Sequence, residues 1–121
     1  MTSPPIDKMA DLQQRVRQFA YDRDWQQFHT PKNLAMALVV EAAELAEHFQ
    51  WLHTGNADEL KDAKKLEAIR HELADVLLYL VLLADKMDIE LYDSALEKLD
   101  LNSIKYPVQL VRGDARKYNE Y

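Results

Sequence analysis

At 121 residues, nearly half of them apolar, the chain is long enough for one domain with its own core, and a single domain over 1–121 is expected. Two glycines and four prolines leave few tight turns, which disfavours a sandwich or barrel, and the absence of cysteine excludes both a disulfide framework and a thiolate zinc site. A formal charge of -6 weighs against a nucleic-acid polymer as partner, since duplex binding needs a basic face.

The expected class is all-α, a four-helix-bundle type whose small core is completed by oligomerisation as a dimer or larger. Ser3 followed by Pro4 reads as a cap with proline at the first helical position. Ile6, Met9, Leu12, Val16 and Phe19 then recur at helical spacing, predicting helix one to about Asp24. A connection with Trp25, Phe28 and His29 follows. Thr30-Pro31 repeats the start signal, and the stripe Leu34, Leu38, Glu41, Leu45, Phe49, Leu52 predicts helix two as far as Leu52.

Gly55 marks a break, and helix three is expected from about Asp58 to Met87. Its centre, Val76 to Ala84, is apolar nearly all round, which implies burial on several sides. That run of nine residues falls far short of the roughly 20 that span a bilayer. With no basic segment and apolar stretch at the start, a cytoplasmic protein with no membrane partner is the expectation. Asp88 is placed as the cap of helix four, Ile89 to about Leu101, and Pro107 limits its continuation into an extended tail. From Asn102 onward the chain carries +2 and the rest -8, a basic tail suited to a small polyanion.

The chemistry lies in helices two and three. At about 100° per residue, Glu41, Glu44, His48 and Trp51 share one side of helix two, and Glu72, Asp75 and Tyr79 one side of helix three. Antiparallel packing would gather four carboxylates in a small space, where their charges need compensation. A hard divalent cation such as Mg²⁺ prefers such oxygen ligands and shares them with substrate phosphates. A di-iron bundle needs Glu-x-x-His, and here the third residue after Glu44 is Glu47 and after Glu72 is Asp75. The histidines His48, His53 and His71 match no ligand pattern, and KDAKKLEAIRHE reads as a solvated helix face.

Glu41-x-x-Glu44 followed by Glu72-x-x-Asp75 resembles the signature of the all-α nucleotide pyrophosphohydrolases, the MazG-like superfamily. The wording RDWQQFHTPKNLAMALVVEAAELAEHFQW, HELADVLLYLVLLA and KLDLNSIKYP is similar to its dCTP pyrophosphatase branch, over roughly residues 10 to 120. The resemblance implies an α-helical bundle assembled as a dimer or dimer of dimers, Mg²⁺ held by Glu41, Glu44, Glu72 and Asp75, and hydrolysis of a nucleoside triphosphate to monophosphate and pyrophosphate. Glu41 and Glu44 are the candidates for orienting the attacking water. For the base it implies Trp25, Trp51, Tyr79 and Asn102, with Phe28 and His29 as flanking candidates; core packing is the competing reading of the tryptophans, and an ordinary loop position that of His29.

Lys98, Asn102 and Lys105 would line one side of helix four if it runs that far. Lys98 and Lys105, with Arg112, Arg116 and Lys117 of the tail, are the candidate counter-charges for a triphosphate, each with a solvated surface position as its alternative. Three other readings remain open: a dUTP-preferring or promiscuous hydrolase, a non-catalytic nucleotide-binding or oligomerisation module, and a metal-storage bundle.

Overall fold

Helix α1 spans Lys8–Asp22 in the computed structural model, which describes residues 4–120. Its cap is Asp7, whose carboxylate accepts from the backbone N–H of Met9 and Ala10, both at 3.1 Å. The expected cap, Ser3, lies outside the described residues, and Pro4 is not helical. Pro5 disfavours helical backbone at Pro4, the residue before it. Asp24, with φ of 54°, ends the helix, and the N–H of Trp25 returns to the carbonyl of Ala20 at 3.0 Å. A 3-10 turn, Gln26–Phe28, fills the connection.

Helix α2 runs Pro31–Glu47, with the Thr30 hydroxyl accepting from the Asn33 N–H at 3.2 Å. It stops five residues before the expected Leu52. The N–H groups of His48 and Phe49 bond three residues back, to Leu45 and Ala46, which tightens the last turn out of α geometry. A 3-10 turn, Ala57–Glu59, and Asp62 as cap then precede helix α3, Ala63–Lys86, so that helix begins later than Asp58.

Packing divides the chain into two compact units, Met1–Asp88 and Ile89–Tyr121. In the first, α3 packs against both α2 and α1. The Asp85 carboxylate clasps α1, accepting from Gln13 Nε2 at 3.0 Å and from Arg17 Nε and a terminal nitrogen at 3.0 and 2.6 Å. The buried apolar residues are Val16, Ala20, Leu34, Leu60, Ile69, Val81 and Ala84. In the single chain Leu77 and Leu80 of the α3 centre remain exposed, as do Leu73 of the same helix and Met36, Val39 and Val40 of α2.

In the second unit, helix α4 spans Leu91–Lys105 and a short α5 spans Val108–Val111. Asp88 does not cap α4: its φ of 55° puts it in the left-handed region after α3, and Glu90 precedes the helix without a side-chain cap bond. Pro107 does interrupt the helix, but it then caps α5, so the tail is not extended throughout. The rings of Tyr106 and Tyr118 meet edge to face at 6.2 Å. No strand occurs among the described residues, and the architecture is all-α. None of the described helices is long and apolar enough to cross a membrane.

Candidate active site

Helix α2 supplies Glu41 and Glu44, and α3 supplies Glu72 and Asp75. Carboxylate oxygens of Glu41, Glu72 and Asp75 lie within 4.8 Å of one another, and the Glu44 carboxyl engages both Glu72 and Glu41. The pairing of residue 41 with 75 and of 44 with 72 means the two helices run antiparallel. Burial first, and then repulsion from Glu44, raises the Glu41 carboxyl above its usual range. Glu72 is pushed up to about 7, chiefly by the hydrogen bond its protonated carboxyl makes with Glu44, then by desolvation and by the charge of Glu41.

One oxygen of this group, Glu41 Oε2, is buried without a hydrogen-bond partner. An orphaned carboxylate oxygen beside other acidic groups is costly unless a proton or a cation meets it. The donor set is all oxygen and contains no imidazole, which fits a hard divalent cation.

The sign of the pH response follows. Glu72 has a folded value above the ordinary 4.5, so its contribution favours the metal-free protein at acid pH and is lost as pH rises through about 7. We expect the melting temperature in chelator to fall between about pH 5 and about pH 8 from this group, and the trend to flatten in Glu72→Gln. Thermal scans across that range check it.

Beside the carboxylates is a cavity of about 350 Å³. Leu12, Val16 and Phe19 of α1, Trp25 and His29 of the connection, and Asp75, Leu78, Tyr79 and Leu82 of α3 form its mainly apolar wall. It lies at the small end of the roughly 300–1,000 Å³ typical of ligand pockets. Trp25 stands edge-on to Phe19 at 5.7 Å and to His29 at 6.3 Å. His29 Nδ1 is buried without a partner, and burial first, then the charge of Lys86, lowers the imidazole below its ordinary value and keeps it neutral. The cavity therefore has an aromatic wall of Phe19, Trp25 and Tyr79 with a neutral-leaning imidazole beside it.

Three of the sequence candidates, Trp25, His29 and Tyr79, meet here, and Asp75 belongs to both cavity and carboxylate group. Phe19 was readable only as part of the core stripe of α1, and Arg15, also on the wall, stands outside every pattern read from the sequence. Stacking against an aromatic is worth about 1–3 kcal/mol per ring, so Trp25→Ala should weaken the binding of a planar heterocycle in this cavity by about 5- to 150-fold. Calorimetric titration of both proteins checks this.

Trp51 is placed otherwise. The helical arc that would set His48 and Trp51 beside Glu44 ends at Glu47; Trp51 sits in the following turn, 87% exposed, and does not line the cavity. Phe28 is also exposed and off that wall.

The remaining candidates belong to the second unit. Helix α4 does reach Lys105, so Lys98, Asn102 and Lys105 share one helix at i, i+4, i+7. Lys105 Nζ lies 5.1 Å from the centre of the Tyr118 ring. Arg116 is held by Asp114 through a 2.6 Å ion pair, and the Lys117 N–H bonds Glu120 at 2.8 Å. Arg112 follows α5 directly.

Comparison with known proteins adds sequence and fold likeness to this geometry. The family model described as MazG-like matches residues 36–120. The chain is 43% identical over 117 residues to dCTP pyrophosphatase 1 of Mus musculus, covering 96% of this chain and 69% of that protein. It is 42% identical, with the same coverage, to dCTP pyrophosphatase 1 of Homo sapiens. A crystal structure of a pyrophosphatase from Archaeoglobus fulgidus superposes with a TM-score of 0.75 at 36% identity, covering 88% of this chain and 99% of that one.

Proposed function

Because this chain belongs to the MazG-like family, we propose that it hydrolyses a deoxynucleoside triphosphate, dCTP or a base-modified dCTP foremost, to the monophosphate and pyrophosphate. The observation that carries the reading is Asp75, a member of the acidic group that also forms part of the wall of the aromatic cavity. A molecule bound across that residue would have a flat ring at one end and an anion at the other.

Glu41, Glu44, Glu72 and Asp75 would hold Mg²⁺, whose charge would offset theirs, polarise the α-phosphate and stabilise the leaving pyrophosphate. Water adds to the α-phosphorus as the bond to the bridging oxygen breaks. Glu41 and Glu44 are the proposed groups that orient that water and take its proton; the unpartnered Glu41 Oε2 supports the assignment. Trp25, Tyr79 and His29 are proposed to receive the base, with Trp51 stacking from the α2–α3 connection. An amide can read a base edge, which supports Asn102 as the selectivity group; Lys98, Lys105, Arg112, Arg116 and Lys117 are the proposed phosphate counter-charges. The exposed Met36, Val39, Val40, Leu73 and Leu77 support a homo-oligomer.

The deciding experiment is a Mg²⁺-dependent assay over a panel of nucleoside triphosphates that separates pyrophosphate from orthophosphate. Pyrophosphate with a cytosine preference is expected. Orthophosphate as the direct product would overturn the assignment of the cleaved bond, and equal rates for all bases would remove the cytosine preference.

A further inference from the structure

The connection between α2 and α3 is organised around an acidic side chain outside the carboxylate group. Glu59 accepts the backbone N–H of His53 at 2.7 Å on Oε2. Its Oε1 accepts the N–H of Gly55 at 2.9 Å together with the N–H and the hydroxyl of Thr54. Three successive backbone donors thus converge on one carboxylate. Gly55, with φ of 77°, supplies the left-handed residue that this turn needs. The Thr54 hydroxyl, and then the backbone donors, hold the Glu59 carboxyl below the usual range, so it stays ionised.

This nest fixes one end of a short span. Leu60, the next residue, is buried in the core of the unit. At the other end, the N–H groups of Phe49 and Gln50 both bond the Ala46 carbonyl at the close of α2, and the Leu52 N–H bonds the Phe49 carbonyl. Trp51 stands between the two anchors with its ring in solvent. A large apolar ring on backbone fixed from both sides is preorganised to meet another flat surface, since little ordering cost remains when contact is made.

We infer that Glu59 is a positioning residue for Trp51: by gathering the N–H groups of residues 53–55 it sets the turn from which the indole is presented to the nucleotide base. The inference rests on the proposed base contact of Trp51. Glu59 itself touches no substrate, so its removal should weaken binding and leave the chemical step alone.

The test uses the whole chain labelled with 5-fluorotryptophan. Its two tryptophans give two ¹⁹F resonances, assigned through Trp51→Phe. Glu59→Ala should displace or broaden the Trp51 resonance and leave that of Trp25 in place. Glu59→Gln keeps an acceptor for Thr54 and Gly55 but sets an amide N–H₂ against the His53 N–H, and should give an intermediate shift. In kinetics, Glu59→Ala should raise KM by about tenfold with kcat within about twofold, inside the range a stacking aromatic supplies. Trp51→Ala should raise KM at least as much, and the double variant no further, because both act through one contact.

An unmoved Trp51 resonance in both Glu59 variants overturns the inference, as do KM effects that add in the double variant. Unchanged KM in Trp51→Ala beside a displaced resonance removes the base role of Trp51, and with it the functional half of the inference. If the unsubstituted protein releases no pyrophosphate, the proposed function fails instead, and the ¹⁹F spectra alone decide whether Glu59 holds the turn.

Discussion

Glu41→Gln should lower the rate of pyrophosphate release by about 100-fold or more while leaving the protein folded, since several kcal/mol of transition-state charge stabilisation depends on an intact cation site. Glutamine keeps the size of the side chain and its place on α2, so packing has no reason to change. What it removes is a charge and, on the proposed function, a cation ligand. In chelator the same substitution relieves repulsion with Glu44 and Asp75, so the melting temperature should hold or rise; in Mg²⁺ the stabilisation gained on binding should shrink. Activity assays paired with thermal scans in both conditions check the two arms. A variant as active as the parent would detach Glu41 from the chemistry, and one that unfolds in chelator would make the residue structural.

The second large effect concerns stability. Leu34, on the first turn of α2, is 1% exposed and is the largest side chain so completely enclosed. Truncation to alanine should cost about 2–5 kcal/mol, the lost transfer energy plus the cavity left behind. Against a total of about 5–15 kcal/mol for an ordinary domain, that is a large share, because few other side chains here are fully enclosed. Denaturant or thermal unfolding of Leu34→Ala measures it. Leu73→Ala is the control: the side chain is exposed in the single chain and should cost far less, unless another copy covers it, in which case the loss grows with dilution.

The convergence of Glu41, Glu44, Glu72 and Asp75 was legible beforehand because helical periodicity, a local property, puts each pair on one side of its helix and successive helices pack antiparallel. Tyr79 was legible through the same periodicity, and Trp25 as a cavity residue through likeness to a family. The end of α2 was not, since the apolar stripe runs on through Phe49 and Leu52 while the chain has already tightened at Ala46 and is captured by a carboxylate several residues later. Hydrogen bonds of that kind leave no periodic trace. Nor does the cap at Asp7, or the left-handed backbone of Asp24 and Asp88, residues whose type also suits a cap. Phe19 shows a different limit: one stripe on α1 serves both as packing and as cavity wall, and spacing cannot separate the two roles.

The clasp of Asp85 on Gln13 and Arg17 bears on how such a protein can change over generations. It sets α1 against α3 at the end of the cavity away from the acidic group, so Val16, Phe19 and the 25–29 connection can vary while the spacing between the helices is kept. The acidic group is made by α2 and α3 and draws nothing from α1. On the proposed function, admission of the ring draws on α1 and the 25–29 connection as well as α3, and cutting of the phosphate chain on α2 and α3, with Asp75 belonging to both. Selection can revise the first by single substitutions without passing through forms that have lost the second.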